Sequence, residues 1–297
     1  MSYEKHEGRL FTPRTPRVVA ARRLQRRRDR EAARRFLAEG PQAVREALAA
    51  AGVVRELFGT PDGLTRHADL AEAAVAHGVP VSPVTDDALA ALAETVTPQG
   101  LVAVCDYLDV GLDEALDPPP RLVAVLAGVR DPGNAGTILR TADAAGAAAV
   151  VFAGESVDPY NGKCVRASAG SLFHVAVARA PDPVAVVDRL RSAGLQVFAT
   201  TGYGDSDLFA LDAAGRLSRP TAWLFGSEAH GLAPELLAAA DDRVRVPVYG
   251  RAESLNLAAA LAVCLYASAR AHHSRPPAGE AERSPRSSGR NLARHQE

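Results

Sequence analysis

The stretch RLVAVLAGVRDPGNAGTILRTADAAGAAAVVFAG, residues 121–154, reads as a strand, a turn, a helix and a second strand. The run 121–129 is apolar at nearly every position, as expected of a strand covered on both faces. Asp131, Pro132, Gly133 and Asn134 supply turn chemistry, and Asn134 is placed to cap the helix that follows. AAAVVFAG (147–154) is then a second apolar strand. This order is the repeating unit of an α/β fold with a parallel sheet and helices on both faces.

Working outward, HVAVARA (174–180), LQVFATT (195–201), TAWLFG (221–226) and RVRVPV (243–248) are further strands. Helices are expected at 183–194, 234–240 and 254–271, so this domain covers 121–272. Upstream, a basic helix from Arg17 to Arg35 precedes a helix at 42–52, strands at 53–59, 79–84 and 100–107, and helices at 67–78 and 86–94. These make a small α/β domain over 17–107. LDVGLDEALDPPP (108–120) mixes acidic residues with three prolines, a linker composition. Residues 1–16 are polar and expected to be flexible, and 273–297 are too polar to fold.

The chain has 297 residues and a formal charge of −1, which does not announce a nucleic-acid binder. The charge is unevenly spread, however. Arg22, Arg23, Arg26 and their neighbours make an arginine-dense arm on a neutral body, suited to phosphate contact, although a merely solvated helix fits as well. Cys105, Cys164 and Cys264 stand far apart without a CxxC, which argues against a disulfide scaffold or structural zinc. Neither a signal-like segment nor a run of membrane-spanning length is seen, so a cytoplasmic location is expected.

Three loops following predicted strands carry the candidate chemistry, because open α/β sheets bind ligands beyond the carboxyl ends of their strands. In the first, 131–146, small residues open a helix and Arg140 lies within two turns of its start, where the helix dipole disfavours a cation. An ordinary surface arginine is the alternative. In LFGSEAHGL (224–232), Gly226 and Gly231 permit close backbone approach around Glu228, though glycine turns after strands are common. In VPVYGRAESLNLAAA (246–260), Ser254 is placed as a helix cap and Asn256 falls in the first turn, a poor position unless its amide has a task. Arg166, in KCVRASAGSLF (163–173), is a further candidate or a plain surface cation. There is no dinucleotide GxGxxG with its acidic partner, no Walker GK[ST] loop and no nucleophile elbow, which argues against an NAD-type enzyme.

NAGTILRTADAAGA, LFGSEAHGL and VPVYGRAESLNLAAALAVCLYA together resemble, in order, the three motifs of the SpoU/TrmH family of RNA ribose methyltransferases, in the SPOUT superfamily. The resemblance spans 121–272 and extends to FLAEGPQAVREAL (36–48) and TPQGLVAV (97–104), which are similar to a ribosomal-protein-like substrate-binding domain. It implies a SPOUT-type parallel sheet with a C-terminal trefoil knot, and a homodimer formed through the last helix. It also implies S-adenosyl-L-methionine held by Thr200, Thr201, Gly202, Gly226, Val246 and Leu255. Arg140 matches the catalytic arginine of the family, and Asn134, Glu228, Ser254 and Asn256 match its supporting polar set. Arg166 would hold RNA phosphate, and no metal is implied. The two-domain layout favours 23S rRNA over tRNA as substrate, with a non-catalytic RNA-binding or assembly factor as the alternative.

Overall fold

The computed structural model describes residues 10–274; the expected disorder at 1–9 and 275–297 falls outside the described residues. Residues 10–16, expected to be flexible, are tied down instead. Phe11 pairs with the strand end at Val84, its N–H reaching Pro83 O at 2.9 Å.

The N-terminal domain runs α1 (Pro16–Arg23), α2 (Arg27–Ala33), β1 (Arg35–Glu39), α3 (Pro41–Ala49), β2 (Val54–Gly59), α4 (Pro61–Arg66), α5 (Ala68–Ala76), β3 (Val81–Pro83), α6 (Asp86–Leu92) and β4 (Leu101–Asp106). Its sheet has the order β1-β4-β2-β3, with only the β2–β3 pair parallel. The single basic helix expected over 17–35 is two short helices. Leu24 is buried at the break, and Arg34 ends α2 in the left-handed conformation (φ 52°). The chain can then turn into β1, whose first residue continues the arginine run that reads as helix, although Phe36 and Ala38 both face the core.

The second domain continues with β5 (Asp109–Val110), α7 (Leu112–Ala115), β6 (Leu122–Ala127), α8 (Pro132–Ala144), β7 (Ala149–Ala153), α9 (Gly162–Ser168), β8 (Ala176–Ala180) and α10 (Pro183–Ser192). It ends with β9 (Gln196–Thr200), β10 (Ser206–Asp207), α11 (Leu208–Ala213), β11 (Thr221–Phe225), α12 (Pro234–Ala239), β12 (Asp242–Arg245) and α13 (Leu257–His273). The sheet order is β10-β12-β9-β11-β6-β7-β8-β5, and every pairing is parallel. The stretch read as a linker therefore supplies an edge strand, β5, which pairs with β8.

All six residues of β6 and all five of β11 are buried, which explains why both read as unbroken apolar runs. From β6 the chain winds outward through β7 and β8, then crosses over to build β9, β11 and β12 on the other side. The order reverses between β6 and β11, the switch point at which an open α/β sheet forms its ligand crevice, and here the loops after the two strands meet across it. Beneath it, Trp223 and Phe198 pack edge to face, and the Trp223 indole N–H donates to Ser268 of α13 at 3.0 Å.

The two domains are joined by polar contacts as well as core. Arg30 and Asp158, each 3% exposed, form an ion pair at 2.8 Å, and Arg30 also donates to Leu24 O and Gln25 O. Tyr160 stacks on Tyr107 and donates its hydroxyl to Asp109, which also takes Arg34 and Arg179. His174 bridges Asp143 of α8 and Glu46 of α3.

Candidate active site

The crevice at the reversal gathers one polar group from each of three loops. After β6, Asp131 caps α8 by accepting from Asn134 N at 2.7 Å, so the cap is Asp131 and not Asn134 as the turn chemistry suggested. An aspartate three residues ahead of that N–H satisfies it and leaves the Asn134 side chain free to reach elsewhere. Asn134 Nδ2 donates to Glu228 Oε1 at 3.0 Å, and Asn134 Oδ1 accepts from Asn256 Nδ2 at 3.2 Å.

Glu228, on the loop after β11, also accepts from the backbone N–H groups of Arg130 and Asp131, both at 3.2 Å. Partial burial works against its charged form. The hydrogen bonds from Asn134 and the backbone outweigh it and hold the carboxyl below the usual carboxylate range. Glu228 is thus a poor proton acceptor and a good clamp.

Asn256 caps α13, its Oδ1 accepting from Ala258 N at 2.9 Å and Ala259 N at 3.4 Å. The expected cap, Ser254, lies two residues earlier, exposed on the approach to the helix. The unusual helix-start asparagine is explained by its two ends: the oxygen stops the helix and the amide ties that stop to Asn134.

Two glycines make the loops compact. A Cβ on Gly226 would overlap the backbone of Gly231, where the 227–231 loop closes by paired hydrogen bonds between Ser227 and Gly231. A Cβ on Gly136 would overlap the Cys164 carbonyl and come within 2.6 Å of Ala167, so α8 and α9 cross at this glycine. That crossing brings Lys163 to Asp131, at 3.1 Å, a contact that nothing in the local sequence predicts.

Arg140 lies on the exposed side of α8 and forms no ion pair among the described residues. Thr200 closes β9 by donating its hydroxyl to Leu224 O at 2.8 Å, and Thr201 N bonds to Val244 O. Gly202 has open space at its Cα, Val246 is half-buried after β12, and Leu255 is 40% exposed. Thr200, Thr201, Gly202, Gly226 and Val246 therefore follow three neighbouring strand ends, with Leu255 on the chain leading into α13.

Arg166 sits at the boundary with the N-terminal domain. Its guanidinium is 28% exposed and held by Glu39 at 3.3 Å and Glu94 at 3.0 Å, both in the N-terminal domain. Arg22, Arg23 and Arg26 are exposed and form no ion pair among the described residues, whereas Arg30 of the same arm is buried in the domain junction. No group of metal-ligating side chains is found among the described residues.

Residues 121–266 match the SpoU rRNA Methylase family, and residues 15–103 match the MRM3-like substrate binding domain. The chain is 36% identical over 245 residues to the 23S rRNA (guanosine(2553)-2'-O)-methyltransferase RlmP of Bacillus subtilis, an alignment covering 82% of this chain and 92% of that one. It is 34% identical to the 23S rRNA (uridine(2479)-2'-O)-methyltransferase of Streptomyces viridochromogenes, over 66% of this chain and 78% of the relative. Among solved structures, it resembles an AdoMet-bound rRNA methyltransferase from Sinorhizobium meliloti with a TM-score of 0.77, at 34% identity, over 89% of this chain and 99% of the other. The SpoU methyltransferase AviRb of Streptomyces viridochromogenes, in complex with AdoMet, matches with a TM-score of 0.76 and 31% identity, over 88% of this chain and 99% of the other. Together with the three-loop site at the sheet reversal, these matches show that the chain belongs to the SpoU rRNA methylase family.

Proposed function

We propose that the protein transfers a methyl group from S-adenosyl-L-methionine to a ribose 2′-hydroxyl of structured RNA, with 23S rRNA as the favoured substrate. The observation that carries this reading is the Glu228–Asn134–Asn256 chain of hydrogen bonds, which fastens three loops together on the helix that presents an unpaired Arg140.

The chemistry of the loops fits the cofactor. Segments 201–205, 226–231 and 246–250 contain small residues and backbone groups but neither Lys nor Arg, as suits a ligand with no phosphate. When bound there, the cofactor supplies an electrophilic methyl group on a sulfonium. Thr200, Thr201, Gly202, Gly226, Val246 and Leu255 would hold it, largely through main-chain contacts.

A ribose hydroxyl is a very weak acid, so the enzyme must orient it and stabilise negative charge on its oxygen as the new C–O bond forms. Arg140 is suited to that work and to gripping the neighbouring phosphate. A guanidinium stays protonated and is no general base, so the proton leaves to phosphate or water. Glu228 stays ionised and keeps Asn134 in place, and Ser254, which caps nothing, is free to meet the substrate. Arg22, Arg23 and Arg26 form an exposed cationic surface for RNA phosphate.

After β12 the chain returns past the start of α8, where Asn256 meets Asn134, and α13 packs against α8 and β11; this supports a trefoil knot. Tyr203, Tyr249, Leu255 and Tyr266 are exposed on the loops and on α13, which supports a homodimer through this face. No helix among the described residues is long and apolar enough to cross a membrane, and an rRNA substrate supports a cytoplasmic location.

The test uses tritiated S-adenosylmethionine with naked rRNA and, separately, tRNA from a strain lacking the gene. Label retained in 2′-O-methylated nucleosides of rRNA is expected. Arg140→Ala should lower the rate about 10²- to 10³-fold, the usual cost of removing an oxyanion donor, with cofactor affinity unchanged. Label confined to tRNA would overturn the choice of RNA, and undiminished methylation by Arg140→Ala would overturn the mechanism.

A further inference from the structure

The N-terminal domain contains a cleft of about 320 Å³ that the reaction site does not use. It opens where α3 and α5 end beside the starts of β2 and β3, and Leu48 and Val54 form its apolar floor. Arg55 and His77, both exposed, stand among its walls.

Three features restrict what it can hold. Arg55 donates from Nε to Asp106 Oδ2 at 2.7 Å, and Arg35 donates to the other oxygen of the same carboxylate at 3.2 Å. Arg55 shares that carboxylate with Arg35, which lies outside the lining, so Asp106 does not neutralise both cations, and the ion pair fixes the Arg55 guanidinium plane, a favourable state for stacking against a flat π-system. Next, Gly52 (φ 75°) and Gly78 (φ 72°) turn the chain out of the two helices with open space where a side chain would stand. A planar ligand can thus approach the main chain edge-on. Finally, α3 and α5 both end at the cleft; Ala50 O, Ala74 O and Val75 O already accept from the Val53, Val79 and Gly78 N–H groups, but the negative ends of the two helix dipoles favour a ligand edge bearing N–H donors and disfavour an anion at the floor. An aromatic, N–H-bearing ring on an anionic backbone meets all three conditions.

We propose that this cleft receives an unpaired nucleobase of the RNA substrate, held against Arg55 and His77 with its amino edge toward the ends of α3 and α5, while the neighbouring Arg35 takes the adjoining phosphate. This rests on the RNA-directed reading above and adds to it a second, sequence-selective contact remote from the methylated ribose. Unstacked bases are the usual means by which proteins read RNA sequence, since the A-form major groove is closed to side chains.

The full-length protein is photo-crosslinked to rRNA fragments carrying 6-thioguanosine or 4-thiouridine, and the adducts are mapped by mass spectrometry. Adducts within 47–55 or 77–80 are expected. Arg55→Ala with His77→Ala should weaken RNA binding at least ~5-fold, the lower end for losing base stacking, with cofactor affinity and thermal stability unchanged. Asp106 keeps Arg35 in that variant, so no carboxylate is stranded. Ala50→Trp, which fills the cleft from its rim, should have the same effect without removing charge. Tight RNA binding with adducts elsewhere, and affinities within twofold of wild type in both variants, would overturn the proposal and leave the methyltransferase reading intact. Free GMP that quenches the adducts without changing RNA affinity would overturn it in favour of a mononucleotide site. A wild-type protein that bound no RNA would bring down the RNA-directed reading itself, and this proposal with it.

Discussion

Replacing Arg30 by methionine tests whether the two domains act as one unit. Its guanidinium reaches Asp158 Oδ2 through Nε at 3.0 Å and Nη2 at 2.8 Å, and two carbonyls, Leu24 O and Gln25 O, through Nη1 at 2.9 Å. At about 3 Å and an effective dielectric near 20, the attraction between the two charges is roughly 5 kcal/mol before desolvation is counted. The desolvation of both groups cancels much of this, so the pair as a whole contributes little net stability. Removing one partner is different. Among the described residues, the Asp158 carboxylate would keep only the Tyr160 N–H, and one buried and one half-buried carbonyl would lose this donor. The expected cost is ~3–5 kcal/mol. At about 2–4 °C per kcal/mol for a chain of this size, that is a fall of roughly 6–20 °C in melting temperature. Arg30→Met combined with Asp158→Leu should recover more than half of the loss, because no unpaired charge remains. Differential scanning calorimetry of wild type, both single variants and the double variant completes the cycle. A single variant within about 1 kcal/mol of wild type, or a double variant whose loss equals the sum of the singles, would refute the reasoning.

Two further outcomes are expected. Asn134→Asp places a second carboxylate where Asn134 now donates to Glu228 at 3.0 Å, so single-turnover methylation should slow at least ~10-fold, and adding Glu228→Gln, which restores a donor, should recover part of it; equal rates in all three proteins would dismiss the network. For His174, the hydrogen bond to Asp143 raises its pKa, burial opposes this, and the contact with Glu46 adds to the rise. Its stabilising effect is therefore complete below the ordinary histidine value of about 6.5 and is lost as the pH climbs through the raised folded-state value. The melting-temperature gap between wild type and His174→Gln should be widest in mild acid and close in alkali, and a gap independent of pH would rule out the ion pairs.

The fold class was legible because its cause is local. A strand buried on both faces must be apolar along its length, so β6, β7 and β11 appear as runs in the sequence, and the helices between them begin and end on turn residues. The site loops were legible for a related reason, since ligands sit beyond strand ends and those loops contain the glycines and polar residues that such a position needs. β1 is masked in the sequence because Arg35 continues the arginine run that reads as helix and only Phe36, Leu37 and Ala38 are apolar before the Gly40–Pro41 turn, while the two residues of β5 are too few to establish a period; each is held by its neighbour in the sheet.

Only the tertiary structure decided which polar residue does what. α8 is capped by Asp131, which leaves Asn134 to bond Glu228, 94 residues away, and α13 is capped by Asn256, whose amide reaches Asn134, 122 residues away. Arg166 and Arg30, alike in sequence to their exposed neighbours, are drawn to carboxylates 127 and 128 residues away. Burial pattern is set by each residue's immediate periodic neighbours and can be read along the chain. A hydrogen bond or ion pair is set by whichever group the fold brings within about 3 Å, and for these residues that group comes from a different part of the sequence.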